Sequence, residues 1–207
     1  MIDSMKQDSQ TAVVVLHEIY GRNAHIKGVC EQLAQKGLDV YCPDLIGKKE
    51  AFPYEAEAEA YQHFMQQVGF DQGLAKATDL LKDIRPHYQQ VIVVGYSVGA
   101  TIAWRCSERK GLCDGVIGFY GSRIRQYPEL LPACPVLLLM PREEPAFDLN
   151  SLIDTLSQTA SVQIVRLGGL HGCCDPYSAH FDEQSFQLAK KEMEGFLFLH
   201  KNILIEP

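Results

Sequence analysis

Val91-Ile92-Val93-Val94-Gly95-Tyr96-Ser97-Val98-Gly99-Ala100 is the stretch on which the reading of this chain turns. Four branched apolar residues predict a buried strand, and Ala100-Thr101-Ile102-Ala103-Trp104-Arg105 opens a helical pattern directly behind them. Between the two stands Gly-x-Ser-x-Gly, in the strand–turn–helix context that a nucleophile elbow requires. Such a turn forces Ser97 into strained backbone geometry and leaves its Oγ proud of the sheet edge. Gly95 and Gly99 carry no Cβ to collide where strand and helix approach closely.

Working outward, Thr11–His17 predicts a first strand, continuously apolar as a parallel strand covered on both faces should be. Ile26, Val29, Cys30, Leu33 and Ala34 recur at helical spacing, with Gly37 as the stop. Leu38–Cys42 predicts a second strand, ended by Pro43, and two helical patterns cover about 55–68 and 71–85. After the Ser97 strand come strands at Asp114–Tyr120, Pro135–Met140 and Ser161–Arg166, a short helix over 149–159, and a final helix carrying Phe186, Ala189, Met193, Phe196 and Leu197 on one face. Strands alternating with helices predict one α/β domain over 1–207, a mostly parallel sheet of about six or more strands with helices on both faces. The chain is expected to be folded throughout apart from its ends, and residues 1–10 read as a mobile N-terminal extension.

A length of 207 residues suits a single domain of this class. The net charge of −7 and pI near 5.5 argue against nucleic acid or an anionic membrane as partner, because both need basic patches. No apolar run approaches the length of a membrane span, and Met1-Ile2-Asp3-Ser4-Met5-Lys6 lacks the features of a signal peptide. The seven cysteines are odd in number and without framework spacing, which points to thiols in a reducing cytoplasm.

In sheets of this kind ligands bind beyond the carboxyl ends of the strands. Four segments fall there: His17–Gly21, Gly95–Gly99, Pro141–Asp148 and Gly168–Asp175. A serine hydroxyl needs a general base, itself oriented by an acid. In α/β-hydrolases the chain order is serine, acid, histidine, and His171, in Leu167-Gly168-Gly169-Leu170-His171-Gly172, has the right rank. Glu143, Glu144 and Asp148 are all candidates for the acid, and Asp148 also suits a helix cap. Cys173 and Cys174 are too close in sequence to share one tetrahedral zinc ion well, so they read as packing or rim residues and no metal is expected.

These residues resemble the dienelactone hydrolase family of the α/β-hydrolase fold from about Val13 to Phe198. The resemblance rests on Glu18-Ile19-Tyr20-Gly21-Arg22-Asn23, Cys42-Pro43-Asp44-Leu45, Gly95-Tyr96-Ser97-Val98-Gly99-Ala100, Tyr120-Gly121 and Gly169-Leu170-His171-Gly172. It implies ester or lactone hydrolysis through an acyl-enzyme, without metal or cofactor. It also implies an oxyanion hole from the amides of Ile19 and Val98, and a Glu18 that contacts the nucleophile in the resting site. Three departures stand out. The best-studied members use cysteine where this chain has Ser97. The family acid, usually Asp, falls on Glu144. The two arginines that hold a substrate carboxylate fall on Glu57 and Asp175.

The sequence therefore leads to a cytoplasmic serine hydrolase with Ser97, Glu144 and His171 as its triad and a small-molecule ester or lactone as substrate. An acyltransferase or peptidase on the same fold is one alternative, and a non-catalytic binding protein is another. Nothing in the sequence specifies an oligomeric state.

Overall fold

A computed structural model describes residues 2–201; Met1 and residues 202–207 of the expected domain lie outside the described residues. Seven strands form one sheet: β1 (Ile2–Met5), β2 (Thr11–Leu16), β3 (Asp39–Pro43), β4 (Gln90–Tyr96), β5 (Gly115–Phe119), β6 (Val136–Met140) and β7 (Val162–Arg166). Their spatial order is β1-β3-β2-β4-β5-β6-β7. Every pairing is parallel except β1 with β3, which is antiparallel with Met5 opposite Val40. Six α-helices among the described residues accompany the sheet: α1 (Ala24–Gln35), α2 (Glu57–His63), α3 (Gly69–Ile84), α4 (Val98–Cys106), α5 (Leu149–Leu156) and α6 (Glu183–Lys201).

Each central strand divides its apolar residues between two cores, because successive side chains point to opposite faces. Ala12, Val14, Leu16, Val91 and Val93 join one cluster with residues of α3, α4 and α5. Val13, Val15, Ile92, Val94 and Tyr96 join the other with residues of α1 and α6. Burial on both sides is why these strands read as unbroken apolar runs. The carboxyl ends of β2, β4, β6 and β7 then deliver four loops to one edge of the sheet, where the site lies.

The N-terminal residues correct the expectation of a mobile extension. Ile2–Met5 completes the open edge of β3, and the largely buried Asp39 accepts from the amides of Gln7 (2.6 Å) and Ser9 (3.2 Å). The carboxylate thus ties down the link between β1 and β2. An edge strand needs little apolar alternation, and Ile-Asp-Ser-Met shows none.

Candidate active site

Ser97 sits at φ 52°, ψ −112°, a left-handed conformation that a non-glycine residue holds only when its surroundings impose it. The imposition comes from both sides. A Cβ on Gly95 would lie 2.3 Å from the carbonyl oxygen of Gly99, and one on Gly99 would lie 2.2 Å from that of Leu16. Only glycine at both positions lets α4 start directly above β4 and beside β2. Val98 is the first residue of α4, so its amide is among those a helix leaves without an internal acceptor.

The loops after β6 and β7 bring Glu144 and His171 to Ser97. His171 Nε2 is 3.0 Å from Ser97 Oγ, and His171 Nδ1 is 2.7 Å from Glu144 Oε1. The two loops are joined to each other by Arg142 N donating to Gly169 O at 2.7 Å. His180 Nδ1 meets the carbonyl of His171 at 3.0 Å, and the Tyr120 ring stands 4.9 Å from the imidazole. Glu143 is turned outward to Arg142, at 2.9 Å. Asp148 caps α5, accepting from the amides of Asn150 (3.0 Å) and Ser151 (3.3 Å). Burial by itself depresses the His171 pKa, but the hydrogen bond and charge of Glu144 outweigh it and raise it above the ordinary value.

The loop after β2 is organised by a residue whose role the sequence did not disclose. His17 is fully buried, and its Nε2 accepts from Leu45 N at 3.0 Å. Its proton therefore sits on Nδ1, which donates to Glu18 O at 2.7 Å. Gly21 N donates to that same carbonyl at 3.2 Å. In a trans peptide the C=O and the next N–H point in opposite directions, so these two bonds set the direction of the Ile19 amide. Burial holds His17 at a pKa of about 4, with the Glu18 carbonyl opposing, so it stays neutral. The signal was long-range: Leu45 is far from His17 in sequence and next to it in space.

Glu18 is buried beside this turn. Burial first, and then the nearby Asp175 charge, push its carboxyl up to about 7, with His171 and Tyr120 pulling the other way. Asp175 is itself buried and already engaged. It accepts from the Tyr54 hydroxyl and from Tyr177 N at 2.8 Å. Tyr54 in turn accepts from Asn23 Nδ2 at 2.9 Å, and Asn23 Oδ1 caps α1 through Ile26 N at 3.0 Å. The carboxylate thus links the loop after β2, the loop after β3 and the loop bearing His171. Arg22 pairs with Asp3 (2.8 Å) and Arg142 with Glu143. Cys173 and Cys174 are buried in the α1–α6 core. Among the described residues no three His, Cys, Asp or Glu side chains are grouped so as to hold a metal ion.

A positive-φ serine at a strand–helix turn, hydrogen-bonded to a histidine that meets a carboxylate, on a mostly parallel sheet with helices on both faces, defines an enzyme of the α/β-hydrolase class. Within that class the chain belongs to the dienelactone hydrolase family, which it matches over residues 2–197, and it is a hydrolase of the carboxylic ester or lactone type. It is 36% identical over 176 residues to the uncharacterized protein YczH of Bacillus subtilis, covering 84% of this chain and 86% of that protein. Against the carboxymethylenebutenolidase of Pseudomonas putida it is 27% identical over 143 residues, 63% of this chain and 60% of that enzyme. A putative dienelactone hydrolase from Klebsiella pneumoniae has a similar fold, with TM-score 0.74 at 19% identity, covering 90% of this chain and 86% of that one. No helix among the described residues is long and apolar enough to cross a membrane.

Proposed function

We propose that this chain is a serine hydrolase that cleaves a neutral carboxylic ester or lactone through an acyl-enzyme on Ser97. The observation that carries the reading is the unbroken line from Glu144 through His171 to Ser97, at 2.7 and 3.0 Å. As Ser97 Oγ attacks the carbonyl carbon, His171 Nε2 takes its proton, and Glu144 holds the Nδ1–H and stabilises the imidazolium. The carbonyl oxygen becomes an oxyanion facing the amides of Ile19 and Val98. Collapse breaks the bond to the alkoxy group, which leaves with the proton from His171. Water, deprotonated by the same imidazole, then releases the acid and regenerates Ser97.

The preference for a neutral substrate follows from charge. Where the resemblance places cations for a substrate carboxylate, this chain has Glu57 and Asp175, and Glu18 stands beside the site. All seven cysteines are buried thiols, which fits a reducing cytoplasm.

The test is hydrolysis of a short p-nitrophenyl ester by the wild type and by Ser97→Ala. A loss of about 10⁴ or more in turnover is expected, the scale on which removing a triad nucleophile acts. A fluorophosphonate should form one adduct, on Ser97. Adducts on Cys173 or Cys174, with activity surviving in Ser97→Ala, would overturn the assignment.

A further inference from the structure

Among the described residues, three other than glycine take a positive φ: Asp8, Ser97 and Tyr120. Aspartate tolerates that region and Ser97 is the elbow, but a phenol side chain at φ 41° is held there only by its surroundings. Tyr120 is fixed on both sides. Its N donates to Leu139 O at 2.8 Å, and Ser122 N donates to its O at 2.9 Å. One residue earlier, Phe119 O accepts from Ser97 N at 2.9 Å, so the end of β5 is tied directly to the elbow.

That backbone decides where the ring goes. Tyr120 is fully buried, and its ring centroid stands 4.9 Å from that of His171, with the planes at 49°. It also meets the rings of Tyr96 and Phe119, each at 6.2 Å, which are stacked on one another at 4.3 Å. A ring packed against two others has little freedom, and the imidazole beside it shares that restraint.

We propose that Tyr120 is a positioning residue for the hydrolysis: its ring holds the His171 imidazole in line with Ser97 and stabilises the imidazolium formed when Ser97 Oγ gives up its proton, a role that rests on His171 being the base for Ser97. An aromatic ring carries negative charge on its faces and attracts a cation within about 6 Å of its centroid, more strongly where water is excluded. The 4.9 Å separation meets that distance, and Tyr120 itself is shut off from water. A neutral imidazole gains little from the same contact, so the effect is concentrated in the charged form and hence in the transition state.

The other groups bearing on His171 are Glu144 at Nδ1, Glu18 and Cys173 by charge, and His180 at the backbone carbonyl. The Tyr120 hydroxyl meets no hydrogen-bond partner within the protein and acts on Glu18, whose carboxyl pKa it draws down. Ring and hydroxyl are separated by comparing Tyr120→Phe with Tyr120→Leu, because neither keeps the hydroxyl.

The experiment is the pH dependence of kcat/KM for a p-nitrophenyl ester with these two variants, beside urea unfolding of each. The acid limb of Tyr120→Leu should lie about half a pH unit below that of Tyr120→Phe, since the charged imidazole has lost its ring. Its kcat should be about threefold or more lower, with KM little changed. Should the leucine variant not fold, trifluorophenylalanine in place of Tyr120 keeps a ring of similar size with a weakened negative face, and should move the limb the same way relative to Tyr120→Phe. Equal acid limbs, or a limb that moves upward, would overturn the proposal. So would a loss of kcat without movement of the limb, which reduces Tyr120 to packing. These outcomes are read where Ser97→Ala abolishes hydrolysis; survival of hydrolysis in Ser97→Ala would instead unseat the triad, and the role of the ring with it.

Discussion

Glu144 and His171, which belong to different loops, meet at 2.7 Å, with the Glu144 side chain 9% exposed and its Oε1 against the imidazole Nδ1. Asp148, four residues further along, spends its carboxylate on the first amides of α5. The two acids therefore separate cleanly under mutation. Glu144→Gln should lower turnover by orders of magnitude with little change in melting temperature, since it removes the charge that orients and stabilises the imidazolium. Asp148→Ala should cost about 1 kcal/mol of stability and leave turnover nearly intact. Denaturant titration beside steady-state kinetics checks both, and the opposite pattern would reverse the assignment.

On the proposed mechanism His171 must be neutral to accept the serine proton, so activity should fall as pH drops through its raised pKa. The acid limb of kcat/KM should lie above the ordinary histidine value of 6.5. Glu18 contributes to that upward shift by its charge. Glu18→Gln should therefore move the acid limb to lower pH. An unmoved or upward-moving limb in a pH–rate profile would show that Glu18 does not act on the imidazole.

The same carboxyl has a signature in stability. Its folded pKa of about 7 stands above the ordinary 4.5, so the folded chain keeps a proton that the unfolded chain gives up first. That contribution is present in full below pH 4.5 and is lost as pH rises to 7. A shift of this size corresponds to about 3 kcal/mol. The stability difference between wild type and Glu18→Gln should accordingly drift by roughly that amount against the wild type across this window. Urea unfolding at several pH values measures it, and a flat difference would mean the carboxyl titrates normally.

In the proposed oxyanion site, His17 acts through the peptide between Glu18 and Ile19, whose carbonyl its Nδ1 holds. His17→Leu removes the donor to Glu18 O and should let the Ile19 amide wander. Turnover should fall about tenfold or more, short of the 10²–10³ that follows outright loss of an oxyanion donor. KM should change little, because the effect is confined to the transition state. Matched circular dichroism and stability data distinguish this from unfolding. A rise in KM with kcat intact would assign His17 to substrate binding instead.

Substrate charge offers a separate check on the pocket. A neutral methyl ester should be preferred over the matching free acid, both built on one lactone, by at least about tenfold in kcat/KM, equal to 1.4 kcal/mol. Glu57→Arg should narrow the gap. Asp175 is unsuited to the same exchange, because its carboxylate holds Tyr54 and the Tyr177 amide. Efficient turnover of the free acid by the wild type would reveal a cation facing the substrate.

Much of this protein is local in its determinants. The alternation of apolar strands with helical periodicity, and glycines bracketing Ser97, decide the fold class, because burial on both sheet faces and a Cβ-free turn are demands on neighbouring residues. The rank of His171 after Ser97 is equally a property of the chain. Tertiary structure decided what depends on distance between remote segments. Glu143, Glu144 and Asp148 are chemically interchangeable as text, and only the path of the loop after β6 turns one inward, one outward and one onto a helix end. His17 became an organiser of the Ile19 amide because Leu45 packs against it. Ile2–Met5 became a strand because β3 had an unpaired edge and Asp39 had room for two amides. A hydrogen bond needs its partner within about 3 Å, and where that partner stands many residues away, the pairing exists only once the chain has folded.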